Sequence, residues 1–452
     1  MATLTSSGPS PAITEPTAGA TRTAAASADD KRGSVQWLKA LNFSIADVQN
    51  GMGPYMALFL QSSAHWSTAQ IGTALAFGNI AQVVAQTPAG ALIDRVHNKR
   101  ALIAIGIVMI ALACIVTPLF TGVGVVTIGQ VLIGAAGAIF PATLAAMALG
   151  LVGRKRMDAQ MGTNQAFNAA GNVFAALAIG AVGYFIGLKW MFFLVVGLCV
   201  VSLFFLWRIR PQDIDHDLAR GADGESATQK RADEEDGFGA SIKDLLVAFK
   251  QLASQRAVLV FLVCAVIFHF SNAAMVPLVT QMLGADQGAQ RAVLYTSGYM
   301  LASQVVFVIV AAMSGRLAAR VGRKPLFLFA FAMLALRGVL YTLSDKPAAL
   351  IAVQCMDGLG AGVFGVVGVL IIADLTKGTG RFNAAQGAVA TAQGIGAFLS
   401  NSVAGYLATR FGTTPTFFVL TGIAVAGFLV FAFFMPETRD AAREPSSDAV
   451  TS

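Results

Sequence analysis

Four ionisable side chains, Asp47, His269, Arg337 and Asp357, fall well inside long apolar stretches of this 452-residue chain. A charge at the centre of a bilayer costs ~2.5 kcal/mol or more, so such residues face a wet cavity or a partner. Asp47 suits binding of a proton or a cationic group, because burial disfavours the charged form of a carboxylate. A solute contact without protons and a structural role are the other readings. Asn50 and Pro54 follow Asp47 at spacings of three and four, on one helical face. His269 and Asn272 share a face in the same way, and His269 suits either a proton relay or a neutral hydrogen-bonded core position. Arg337 and Asp357 lie about equally far from a turn near Asp345–Pro347. At a rise of 1.5 Å per residue their depths agree within ~3 Å, which predicts a structural ion pair, with anion binding by Arg337 as the alternative.

Amides form a second set. Asn164, Asn168 and Asn172 recur every four residues, Gln393 stands at the second-half position of Asn168, and Gln130 and Gln354 occupy another matched pair. Such groups make reversible contacts with polar solutes, and they also join helices at ~0.6 kcal/mol apiece.

The elements that must hold these residues are helices in a membrane. The chain is 56% hydrophobic and 12% charged, about half the charged share of a soluble domain. Twelve spans are predicted at 38–60, 69–92, 100–120, 123–151, 160–186, 190–208, 257–283, 293–315, 325–344, 348–374, 384–408 and 415–435. They divide the chain into a tail (1–34), a six-helix half (35–210), a linker (211–256), a second half (257–436) and a closing tail (437–452). The first tail, rich in Ala, Ser, Thr and Pro, is expected to be disordered. Within the linker, Ile242–Leu252 reads as an amphipathic surface helix. Of the 31 Lys and Arg, all but Lys189, Arg291, Arg337, Lys346 and Arg410 fall on the side that carries both termini. That bias puts both ends in the cytoplasm. It also explains the net charge of +7 without a nucleic-acid partner. Cys114, Cys199, Cys264 and Cys355 lie singly in apolar spans, which predicts neither a disulfide nor a metal site. "GAGVFG" (Gly360 to Gly365) has dinucleotide-loop spacing but lies inside a span, where close helix packing is the expected role.

The two halves are copies. "GALIDRVHNKR" (Gly90 to Arg100) returns as "GRLAARVGRKP" (Gly315 to Pro325). Offsets of 223 to 225 also relate Pro54 to Pro277, Gln130 to Gln354, Gly134 to Gly358, Gly162 to Gly387 and Gly171 to Gly396. An even number of spans per half keeps the copies parallel. The fold class is therefore an all-α membrane protein of twelve helices in two parallel six-helix repeats.

With Gly90, Asp94, Arg95, Lys99 and Arg100 between the second and third spans, the chain resembles the major facilitator superfamily. Gly315, Arg320, Gly322, Arg323 and Lys324 form a weaker copy, and "PETR" (Pro436 to Arg439) resembles the exit of the last helix in many members. The resemblance implies that the first, fourth, seventh and tenth helices line a central cavity, and that the loop acts as a cytoplasmic latch between the halves. Simple anchoring by positive charge is the other reading of that loop. His97 and Ala319 depart from the pattern, replacing a turn glycine and the acid of the second copy. Gln130 stands where many proton-coupled members carry an arginine, and the fifth span lacks the antiporter proline. The implied function is secondary transport of a small organic solute by alternating access, coupled to protons and directed to export. Metabolite import, or a non-transporting sensor or scaffold, are the alternatives. The expected setting is the plasma (inner) membrane, as a monomer, with lipid, protons and solute as partners and no cofactor or catalytic activity.

Overall fold

The computed structural model describes residues 18–46, 48, 52–96, 98–215, 255–377 and 382–439. The first half contains α1 (Ala18–Ile45), α2 (Gly53–Ala64), α3 (Thr68–Arg95), α4 (Lys99–Val116), α5 (Val123–Val152), α6 (Arg154–Phe185) and α7 (Leu188–Arg208). The second contains α8 (Arg256–Asn272), α9 (Met275–Gln287), α10 (Ala289–Val321), α11 (Arg323–Leu340), α12 (Pro347–Leu375), α13 (Phe382–Phe411) and α14 (Thr413–Phe434). The pairs α1–α2 and α8–α9 are each counted as one path interrupted by a break, which leaves six helical units per half among the described residues.

Among the described residues, eight helical stretches are long and apolar enough to cross a membrane. α11 falls short for a simple reason: its 18 residues include Arg323, Lys324 and Arg337. One expectation is corrected. Residues 18–34, read as tail, are the start of α1, where an alanine-rich sequence has the highest helix propensity. Ser34 hydrogen-bonds Asp213 and also accepts from the Arg210 amide at 3.2 Å. The Ile242–Leu252 helix lies outside the described residues.

The duplication is visible in backbone contacts. A Cβ on Gly134 would overlap the carbonyl oxygen of Gly78, and one on Gly358 would overlap that of Ser303. Likewise Gly171 rests on the Phe43 carbonyl and Gly396 on that of Val266. The partners are related by offsets of 225 and 223 and the glycines by 224 and 225, so the two halves repeat the same crossings to within a residue or two of register. Without a side chain the helices approach to backbone contact.

The halves meet along α3–α13 and α6–α10, with α2 against α9. Near the face opposite the termini these crossings become a seal. A Cβ on Gly405 would stand 2.9 Å from the Thr68 carbonyl oxygen and 3.1 Å from the Gly72 Cα. On the other side Gly180 abuts Ser297. Hydrogen bonds from Ala69 N to Thr409 Oγ1 (2.8 Å) and between the Tyr55 and Ser297 hydroxyls (2.9 Å) join the halves there.

Each half also closes on itself at the terminal face. After α7, Pro211–Asp213 forms a short 3-10 turn, and the Asp215 amide donates to the Gly150 carbonyl at 3.0 Å. After α14, Glu437 accepts from the Arg323 and Lys324 amides (2.9 and 3.1 Å), so its carboxylate caps α11. The Arg439 guanidinium donates to the Arg320 carbonyl at 2.8 Å, capping α10.

Candidate functional site

Below the seal, mid-bundle, lies a cavity of about 480 Å3 lined from both halves. Its polar wall is made of Asn79, Gln82, Gln130 and Asn172 on one side and Ser303, Gln304, Gln354, Asp357 and Asn401 on the other. Both helix breaks border it, through Met52–Tyr55 and through Ala273, Val276 and Pro277. The second break has a local cause. Pro277 has no N–H to bond the Ala273 carbonyl, and the Ala274 amide turns instead to Ser400 Oγ at 2.9 Å. At the first break Met52 adopts a left-handed φ of 66°.

Asp357 is the acid of the described lining, with 18% of its side chain exposed. Arg337, only 1% exposed, pairs with it from behind. Ser303 Oγ donates to the carboxylate at 2.9 Å and Gln354 Nε2 at 3.1 Å. Tyr341 donates to Gln354 and bonds Tyr299 at 2.7 Å. The guanidinium also reaches both sides of the second break, donating to Asn272 Oδ1 at the end of α8 and lying 3.2 Å from Met275 Sδ at the start of α9. One buried cation thus ties α11, α12 and the α8–α9 break together. At the repeat-related position of Asp357 stands Ile133, so this network belongs to the second half alone.

The expected site residues separate. Gln130, Asn172, Gln354 and Asp357 line the cavity. Asn272 and Arg337 stand behind it. Asn168 accepts from Asn172 at 3.3 Å, and Asn164 is buried, accepting from Gln160 at 2.7 Å. Gln393 is half-buried away from the lining. His269 is also outside the lining, its Nδ1 3.1 Å from the Ala265 carbonyl and its ring edge-on to Phe364 at 5.0 Å. Asp47 and Asn50 lie outside the described residues. Asn79, Gln82, Ser303 and Gln304 were not singled out from sequence. The repeat offset relates Asn79 to Gln304 and was the available signal.

The loop residues whose contacts are described are tied within their own halves. Gly90, Asp94 and Arg95 belong to the end of α3. Lys99 donates to the Ile93 carbonyl, and Arg100 to those of Leu206 (3.2 Å) and Trp207 (3.1 Å). Gly315 lies within α10, and Gly322 takes a φ of 110° between α10 and α11. Arg323 pairs with Asp374 at 3.0 Å, and Arg320 lends its carbonyl to Arg439.

Two six-helix copies around such a cavity are the architecture of one transporter class, and a family model described as Major Facilitator Superfamily matches residues 38–336 and 261–450. The chain belongs to the major facilitator superfamily. An uncharacterized MFS-type transporter of Mycobacterium tuberculosis, found in two strains, is 44% identical over 406 residues, covering 89% of this chain and 93% of the relative. Among solved structures, the nucleoside transporter NupG is 13% identical with a TM-score of 0.72, covering 88% of this chain and 98% of its own. A POT family transporter in complex with 5-aminolevulinic acid is 12% identical (TM-score 0.70; 89% and 96% covered). A D-xylose–proton symporter is 14% identical (TM-score 0.66; 90% and 98% covered). These likenesses show the fold. As a superfamily member the chain is a multi-pass integral membrane protein and a secondary transporter, not an enzyme.

Proposed function

We propose that this superfamily member moves a small organic solute across the plasma (inner) membrane by alternating access, coupled to protons through Asp357. Both termini are cytoplasmic, in line with the Lys and Arg bias, and the seal then closes the outer side. The observation that carries the reading is the position of Asp357, which faces the cavity while paired to a guanidinium that holds the α8–α9 break. Protonation removes the carboxylate charge and with it the attraction that fixes Arg337. The break, and the Ala273–Pro277 segment of the cavity wall, are then free to shift. Only a group that differs between the two states in this way can bias the equilibrium between them. One fold neighbour is a proton symporter by name, so proton coupling is compatible with this architecture.

The test is solute accumulation in reconstituted vesicles under an imposed pH gradient. Asp357→Asn should abolish uphill accumulation while retaining solute exchange across the membrane. Accumulation in inside-out vesicles reads export, the direction expected from sequence, and accumulation in right-side-out vesicles reads import. Full gradient-driven accumulation by Asp357→Asn would remove Asp357 from the mechanism.

A further inference from the structure

Resting on the transport reading above, we infer that the solute is electrically neutral and rich in hydroxyl or amide groups, a polyol, sugar or comparable polar molecule. The wall of the cavity supports this in four ways.

Its polar groups are overwhelmingly amides. Asn79, Gln82, Gln130, Asn172, Gln304 and Asn401 surround the space from both halves. An amide offers donor and acceptor side by side, as a hydroxyl does, and carries no charge. An array of this kind can bond a hydroxyl-rich solute in several orientations.

The charge in the described lining is already matched. A cationic solute would compete with Arg337 for Asp357 and leave a fully buried guanidinium without its counter-ion. An anionic solute meets no cation in the described lining, because Arg337 lies behind Asp357 and outside it. Both arrangements are unfavourable in a low-dielectric interior.

One amide lacks a partner. Gln130 lines the cavity at 6% exposure, and its Nε2 has no hydrogen-bond acceptor among the described residues. Its repeat mate Gln354 is bonded at both its oxygen and its nitrogen, accepting from Tyr341 and donating to Asp357. The same position is complete in one half and short of an acceptor in the other. A buried donor in that condition calls for a partner, and a solute oxygen supplies it.

Aromatic faces, which hold lipophilic cations, are scarce. Tyr55 is the aromatic residue of the described lining, and its hydroxyl already bonds Ser297. The volume, about 480 Å3, falls in the range of small-molecule sites.

Binding to the purified, full-length protein in lipid nanodiscs tests the class, read as the ligand-dependent rise in melting temperature. The probes are neutral (ribitol, glucose, trehalose), cationic (choline, tetraethylammonium) and anionic (succinate, benzoate). A saturable rise is expected from at least one neutral probe and from no charged one. Gln130→Leu and Gln304→Leu should each raise the half-saturating concentration by about fivefold or more, with the ligand-free melting temperature showing that each variant folds. The inference falls if a charged probe gives the rise, if no neutral probe does, or if both variants bind like the parent. Because the assay needs no gradient and no flux, failure of proton coupling leaves it untouched. Gradient-driven accumulation of a charged solute would leave coupling standing and overturn the class.

Discussion

A guanidinium can remain buried in an apolar bundle only if its charge is met, and Arg337 meets it with the Asp357 carboxylate, the Asn272 amide oxygen and the face of Tyr341 at 5.8 Å. Removing one member of a buried pair strands the other, at a cost of ~3–5 kcal/mol, whereas replacing both with apolar groups is often neutral. Asp357→Leu should therefore lower the melting temperature strongly, since the charge left behind is the more buried of the two. The double variant Arg337→Leu with Asp357→Leu should recover most of that loss. Equal destabilisation in the single and the double would show that the pair is not what fixes the two side chains. Part of this was legible in sequence, because counting residues from the turn at Asp345–Pro347 sets Arg337 and Asp357 at one depth. Asn272 and Met275 were not tied to Arg337, because their meeting depends on how the seventh span lies against the ninth. Helix periodicity assigns a face, and a neighbour only once the packing is known.

At the scale of helices, proline positions were informative and helix ends were not. Pro54 and Pro277 mark breaks that border the cavity, as their chemistry suggests. The asparagine stripe of the fifth span reads as one face, yet only Asn172 reaches the cavity, because α6 extends well past it toward the termini. The closing "PETR" was legible as a motif, but not as a clip across two helix ends. Burial of Glu437 works against its ionisation, but bonds from the backbone amides of Arg323, Arg439, Lys324 and Thr438 outweigh it and hold the carboxyl below its usual 4.5. The stability this cap contributes is present above the ordinary carboxyl range and lost as pH falls through the depressed value. Glu437→Gln should accordingly melt below the parent at neutral pH, and the gap should close on acidification. A gap that does not change with pH would show that the charge at the cap is irrelevant. Helix caps such as this one resist sequence reading because donor and acceptor lie 114 residues apart.

For the molecule as a whole, the duplication was the most legible feature, since offsets between single residues reappear as repeated backbone crossings. What one-dimensional offsets could not show is how the copies face each other. Gly72 pairs with Gly405 and, at the equivalent place, Ser297 with Gly180. These four positions form the seal between the halves. A side chain at Gly405 cannot fit while α3 and α13 touch, so Gly405→Leu should populate the form open on that face. With Cys355 replaced by serine, a cysteine at Met300 in the cavity wall should then react at least about tenfold faster with a membrane-impermeant thiol reagent added from that side. Unchanged labelling would place the moving contact elsewhere. The terminal face offers a way to watch the same motion. Asp215 is fastened to Gly150 of the first half, and Arg256 opens the first helix of the second. Each anchor belongs to its own half, so if the halves rock as proposed, fluorophores attached beside these two residues would act as a molecular ruler, reporting each turn of the cycle as a change in energy transfer.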